Sequence, residues 1–238
     1  MSGAGELLVY GAYGYSGDLV VRRAVARGLR PVLAGRREEP LRRLADETGL
    51  RWRRFELSSP SETAGGVAGA AAVLNCAGPF VHTAEALLEA CLAGGAHYLD
   101  ITGEIAVFES LAARDAEALD ARVVVLPGVG FDVVPSDCLA AHVARALPSA
   151  TKLVIGIDSR GGVSRGTAMS MLERLPRGGA VRVDGALRTE PIGARRRRFD
   201  FGHGPREAIS IPWGDLATAW RSTGIPNIEV YSTTPSRA

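Results

Sequence analysis

Gly11, Gly14 and Gly17 stand at G-x-x-G-x-x-G spacing directly after the apolar run Leu7-Leu8-Val9-Tyr10, and a helical pattern begins at Tyr15. No other stretch constrains the fold as strongly, because each glycine has a physical task. Gly11 permits a tight turn out of a strand, Gly14 leaves room for a phosphate against the backbone, and Gly17 lets a helix lie close on a sheet. The helix start offers free N–H groups and the positive end of its dipole to an anion. Residues Gly11, Ala12, Tyr13, Gly14, Tyr15, Ser16 and Gly17 are therefore read as the pyrophosphate turn of a dinucleotide site. Glycine-rich turns also occur without nucleotides, so the position between strand and helix carries the reading.

The next strand distinguishes between dinucleotides. Pro31-Val32-Leu33-Ala34-Gly35 is followed at once by Arg36-Arg37, with no carboxylate before Glu38. An NAD site places an acid near this point to hold the ribose hydroxyls. Two guanidinium groups suit a 2′-phosphate, which an acid would repel. Arg-Arg pairs recur in this chain at Arg22, Arg42 and Arg53, so a solvated pair is the plainer alternative. Position and the missing acid favour NADP, as does the glycine spacing.

Further apolar runs alternate with helical patterns. Helices are expected over 15–27 (Leu19, Val20, Ala24 and Val25 inward), 38–48, from a capping box at Ser59, 83–93 and 105–121 (Ile105, Phe108, Leu111 and Leu119 inward). Strands are expected over 52–57, 71–75, 97–101 and 123–126, the last a continuous apolar run suited to a sheet buried on both faces. The rhythm implies a Rossmann-type α/β fold, a doubly wound parallel sheet. After Pro148 the pattern changes to strands at 152–157, 195–201, 208–212 and 228–233 with helices at 164–175 and 215–221. Residues 1–147 thus read as an NADP-binding domain. Residues 148–238 read as a second, smaller mixed α/β domain for substrate or dimerisation, incomplete or naturally short.

Composition narrows the function classes. A net charge of +2 gives no electrostatic case for nucleic acid or an anionic membrane, and the Arg195–Arg198 run reads as a solvated strand face. Charges or His interrupt every long apolar stretch, and the first strand begins too early to leave room for a signal peptide, so a cytoplasmic protein is expected. Cys76, Cys91 and Cys138 lack metal or disulfide spacing and read as buried, reduced thiols, and no metal site is expected. Lys152 is the only lysine. A Tyr-x-x-x-Lys acid pair is therefore absent, since Pro148 stands four residues before it.

Ligands of such sheets bind beyond the carboxyl ends of the strands. Cys76, Ala77, Gly78 and Pro79 form a small-residue floor after the fourth strand, suited to a nicotinamide ribose. Later ends carry Asp100, Thr102 and Glu104, then Gly128 through Asp137. Ser136 and Asp137 suit an N-cap and first helical turn, and Glu104 also suits a first turn. Asp132 has no such role, and His82 is the histidine best placed to face a cofactor. The catalytic candidates are Asp132, Glu104 and His82. The substrate cleft is expected between the Cys76–Phe80 and Val129–Asp132 loops.

Four of these segments, Val9–Gly17, Asn75–Phe80, Tyr98–Glu104 and Pro127–Asp137, together resemble saccharopine dehydrogenase-like oxidoreductases, nearest the trans-acting enoyl reductase branch. The resemblance covers roughly residues 7–145. It implies an NADPH-dependent oxidoreductase delivering hydride to an electron-poor double bond, the enoyl C=C of a small-molecule or carrier-bound acyl substrate. Reduction of C=N in an amino-acid imine is the alternative, for which Arg165 is a thin candidate. A non-catalytic NADP-binding sensor or scaffold is the rival of another class. A homodimer is compatible with either.

Overall fold

The structure is a computed structural model and describes residues 5–158 and 178–233. The expected helix at 164–175 and Arg165 lie outside them. Two compact units divide the chain, one of Met1–Thr102 with Glu109–Gly130, the other of Gly103–Phe108 with Phe131–Ala238.

The first unit is a single parallel sheet with the strand order β3-β2-β1-β4-β5-β6. Its strands are β1 (Glu6–Tyr10), β2 (Val32–Gly35), β3 (Trp52–Arg54), β4 (Ala70–Asn75), β5 (His97–Asp100) and β6 (Val125–Leu126). Helices α1 (Tyr15–Ala26), α2 (Glu38–Thr48), α3 (Pro60–Val67), α4 (Ala84–Gly94), the second half of α5 (Ile105–Ala112) and α6 (Asp115–Ala121) fill the crossovers; the first half of α5 falls in the second unit. The order reverses between β1 and β4, the topological switch of a doubly wound sheet. Register aligns Tyr10 with Ala34 and with Asn75, so the three strands end level. Val9, Leu33, Val21, Leu41 and Leu44 form the core on the α1–α2 side of the sheet.

Several local expectations are corrected. The α1 stripe runs through Gly17, Val21 and Ala24, and Leu19 is exposed, because Gly17 sets the face that meets the sheet. The expected helix 105–121 is two helices, broken where Arg114 binds Glu85, Glu89 and Glu117. The break resets the phase, so Ala118 is buried and Leu119 exposed. β6 has two residues and lies at the sheet edge, leaving Val124 and Leu126 about half exposed. Cys138 is exposed, unlike Cys76 and Cys91.

The second unit is mixed α/β, as expected. Its sheet runs β10-β11-β12-β8-β9, with β7 parallel to β12 and the other pairings antiparallel. The strands are β7 (Lys152–Ile157), β8 (Gly179–Val183), β9 (Ala186–Glu190), β10 (Arg196–Asp200), β11 (Pro205–Ser210) and β12 (Asn227–Thr233). Helices α7 (Val134–Ala146) and α8 (Asp215–Thr223) pack together, with Ala140, Leu216, Ala219, Ile228 and Val230 buried in one core. The β8–β9 hairpin was not foreseen. Its signal was Asp184-Gly185, both at positive φ, between apolar alternations. Ser136 is not the N-cap of α7: the helix starts at Val134, and the Ser136 hydroxyl donates to Val133 O at 3.1 Å. Arg196, Arg197 and Arg198 are all exposed on β10, an edge strand among the described residues.

The contrast between Leu87, fully buried, and Leu119, 70% exposed, gives a direct test of this packing. Leu87→Ala should lower unfolding free energy by about 2–5 kcal/mol. Leu119→Ala should cost less than about 0.5 kcal/mol. Urea denaturation measures both, and equal costs would contradict the assigned helix phases.

Candidate functional site

The turn after β1 is held from three sides. Gly11 has φ +77°, and a Cβ there would lie 2.8 Å from Ala77 N. Gly11 N and Ala12 N both donate to Ala34 O, at 2.9 and 3.2 Å, and Gly14 N donates to Gly11 O at 2.9 Å. A Cβ on Gly17 would sit 2.2 Å from Gly11 O, so only glycine brings α1 this close. Gly14 is the N-cap of α1 without any side-chain cap. A Cβ on Gly14 would meet Gly11 O alone, at 3.2 Å, which leaves its outer side open. An uncapped helix start with an open glycine beside it is a fitting seat for a pyrophosphate.

At the end of β2, Gly35 lies under the Tyr13 ring, 2.7 Å from it for a built Cβ. Arg37 N donates to Tyr13 Oη at 3.3 Å, and the Arg37 guanidinium stands 4.9 Å above the same ring. Arg36 and Arg37 are exposed. Members of the other arginine pairs bind carboxylates: Arg22 binds Asp18 and Glu47, Arg42 binds Glu39, Arg53 binds Glu6 and Arg54 binds Glu56. Arg36 and Arg37 take no part in these pairs, and both are exposed after β2.

Beneath the ends of β4 and β5 lies a buried polar network. Asn75 Nδ2 donates to Thr83 Oγ1 at 2.9 Å and to Tyr98 Oη at 3.3 Å, while its Oδ1 accepts from Ala77 N at 3.0 Å. Thr83 Oγ1 donates to Ala77 O at 2.8 Å, so both backbone groups of Ala77 are tied down. Asp100 accepts from Tyr98 Oη, Thr102 N and Gly128 N at 2.9, 3.0 and 2.8 Å. These acceptors hold the loops after β5 and β6 in place. Burial, with Asp100 nearby, pushes the Cys76 thiol up to about 12, so it serves as packing under the loop.

The three catalytic candidates fall in different units. His82 is exposed in the 3-10 turn Phe80–His82 of the first unit, its backbone N–H donating to Pro79 O at 3.2 Å. Glu104 and Asp132 belong to the second. Glu104 is 5% exposed, and its carbonyl accepts from Val107 N and Phe108 N at the start of α5. The Asp132 carboxylate lies against Gly103, 2.8 Å from a built Cβ, and its carbonyl accepts from Trp213 Nε1 at 2.7 Å. Asp137 accepts from Ser222 Oγ at 2.7 and 2.8 Å.

Asp215, which begins α8, is fully buried and was missed. An acid after Gly214 reads in the sequence as an ordinary first-turn residue, so no signal marked it. Neither carboxylate oxygen makes a well-formed hydrogen bond among the described residues. Burial raises its pKa from 3.8 to about 6; the nearby Ser136 hydroxyl opposes this, and the Asp137 and Asp132 charges add to it.

These features define the class: a doubly wound α/β protein with a dinucleotide turn whose second strand ends in arginines. The Saccharopine dehydrogenase NADP binding domain model matches residues 7–126, and the chain belongs to that family. It is thus an NADP-binding member of an oxidoreductase family. Saccharopine dehydrogenase-like oxidoreductase of Homo sapiens is 30% identical over 152 residues, covering 56% of this chain and 35% of that protein. Trans-acting enoyl reductase of Mycobacterium ulcerans is 30% identical over 148 residues, covering 59% and 35%. Saccharopine dehydrogenase (L-Glu forming) from Saccharomyces cerevisiae shares the fold, with TM-score 0.69 at 13% identity over 96% of this chain and 54% of that one. The aligned region is 35% of the length of both sequence relatives. No helix among the described residues is long and apolar enough to cross a membrane.

The raised pKa of Asp215 makes a stability prediction. Between 3.8 and about 6 the folded state keeps a proton that the unfolded chain has lost, so stability should fall as pH rises through that window. Asp215→Asn should flatten this slope and raise stability above pH ~7 by roughly 2–3 kcal/mol. Urea titrations across the window check it, and an unchanged slope in the variant would remove Asp215 as its source.

Proposed function

We propose that this chain belongs to a reductase that saturates a C=C bond conjugated to the carbonyl of an acyl thioester. The observation that carries the cofactor half is the uncapped α1 start beside exposed Arg36 and Arg37. The enoyl half rests on the relative named as a trans-acting enoyl reductase. Gly11 to Gly17 would hold the pyrophosphate, Arg36 and Arg37 the 2′-phosphate, and Cys76, Ala77, Gly78 and Pro79 the nicotinamide ribose. NADPH, when bound, supplies the hydride.

The chain's own residues limit how the proton is delivered. Lys152 Nζ is paired with Glu229 at 2.8 Å and has no tyrosine four residues before it. Backbone N–H groups would steady the developing enolate, and water, or one of Asp132, Glu104 and His82, would supply the proton.

NADPH should bind at least about tenfold more tightly than NADH, and Arg36→Ala should narrow that gap by ~1–3 kcal/mol. Fluorescence titration of both nucleotides measures it, and equal affinities in the unmutated protein would refute the 2′-phosphate assignment. In turnover, followed as loss of NADPH absorbance with enoyl thioesters and cyclic imines, Asp132→Asn should slow reduction without weakening NADPH binding. Tight NADPH binding with no oxidation by either substrate class would favour a sensor.

A further inference from the structure

Among the described residues of the second unit, one helix face and one strand leave much carbon exposed. Ala140 is the buried residue of α7, while Leu139, Val143 and Leu147, spaced as one helical stripe, are 62, 40 and 58% exposed. β7 has the same character: Leu153, Ile155 and Ile157 are only half-buried, and among the described strands it pairs with β12 alone. Between helix and strand lies a cavity of about 480 Å³. That volume falls in the range of small-molecule sites, ~300–1,000 Å³.

Three properties of this cavity bear on what it takes. Its wall runs along α7 from Pro135 to Val143, about 12 Å at ~1.5 Å per residue. Along β7 it runs from Leu153 to Asp158, about 16 Å at ~3.3 Å per residue. A slot of that extent suits a linear molecule. The wall is overwhelmingly carbon, from Leu139, Val143, Leu153, Ile155 and the Trp213 indole. A peptide strand added to the edge of β7 left unpaired among the described residues would need that strand's N–H and C=O groups facing the cavity, and a carbon wall does not offer them. The polar side chains are few and mostly placed at the start of α7: Asp132 and Ser136. Asp158, the third, is occupied by Arg206 and by Thr233 Oγ1.

We infer that this cavity binds the alkyl chain of an acyl thioester, with the functional end toward Asp132 and Ser136. The inference rests on the acyl reading above and adds the hydrocarbon-binding surface. Its prediction is a dependence on chain length, because each buried methylene contributes a similar increment until the slot is full.

The test uses the full chain and saturated N-acetylcysteamine thioesters, from butyryl to palmitoyl, below their micelle concentrations. Saturated thioesters cannot be reduced, so binding is read without turnover. Trp213 lies in the wall, and its fluorescence should change on binding; Trp213→Phe should remove the signal and separate it from Trp52 and Trp220. Dissociation constants should fall by about fourfold per added methylene and then level off. Leu139→Glu, at an exposed position, should weaken binding of the long thioesters at least tenfold, leaving butyryl and NADPH binding unchanged. Affinity independent of chain length would overturn the inference, as would a Leu139→Glu variant that binds palmitoyl thioester normally. A dimer in sedimentation that shields Trp213 and excludes the thioesters would overturn it too. Chain-length-dependent binding without reduction of enoyl thioesters would uphold the cavity and reject the enoyl reading.

Discussion

The approach of Gly17 to the Gly11 carbonyl fixes where the first helix begins. Only the absence of a side chain permits it, since a Cβ would come within 2.2 Å of that oxygen. With the helix seated there, its N-terminal donors emerge level with the ends of β1, β2 and β4, where the strand order reverses. Gly11 presses in turn on Ala77. The loops on either side of the switch point are therefore mutually located by backbone contact, with little depending on flexible side chains.

Buried polar groups play two opposite parts. Asn75 and Asp100 lie wholly inside the first unit, yet their side chains are supplied with partners, and each ties a strand end to a loop. Such a network resists displacement, since removing one member strands the others in a medium of low polarity. Glu229 is a second instance: burial pushes its carboxyl up, but Lys152, Tyr231 and Arg195 together hold it below the ordinary value. Asp215 has no comparable support and is held nearer its neutral form. The chain thus keeps one acid in a costly place, beside Ser136 and below the start of α7.

Where backbone chemistry dominates, the sequence was readable. The glycine turn, the arginines after β2, the alternation of the first unit and the bounds of β7 at Lys152–Ile157 all emerge from residue types at fixed spacing. Apolar periodicity failed where tertiary charge or topology intervened. Nothing local in 105–121 shows that Arg114 gathers three carboxylates from two helices and splits the segment. Val124 and Leu126 look like an interior strand because their hydrophobicity cannot reveal an edge position. The Asp184-Gly185 turn was legible in principle and lost among the many glycines of the second half. The glycines that shape the turn after β1 were readable from their spacing, whereas burial of Asp215 depends on α8 folding against α7.

Individual strand pairings differ in how far along the chain their partners lie, and this has a kinetic consequence. Residues of β8 and β9 meet across a two-residue turn, as Val183 does with Ala186. In the first unit Leu8 must find Val73, with three helices and two strands made between them. Closing a long loop costs entropy before any contact compensates it. The hairpin can thus form while the central pair of the parallel sheet is still apart, and refolding of the first unit is governed by the search that unites β1 with β4. Until that search ends, the glycine turn has no Ala77 to rest against, so the turn takes its final form late in folding, after much of the helix content is present.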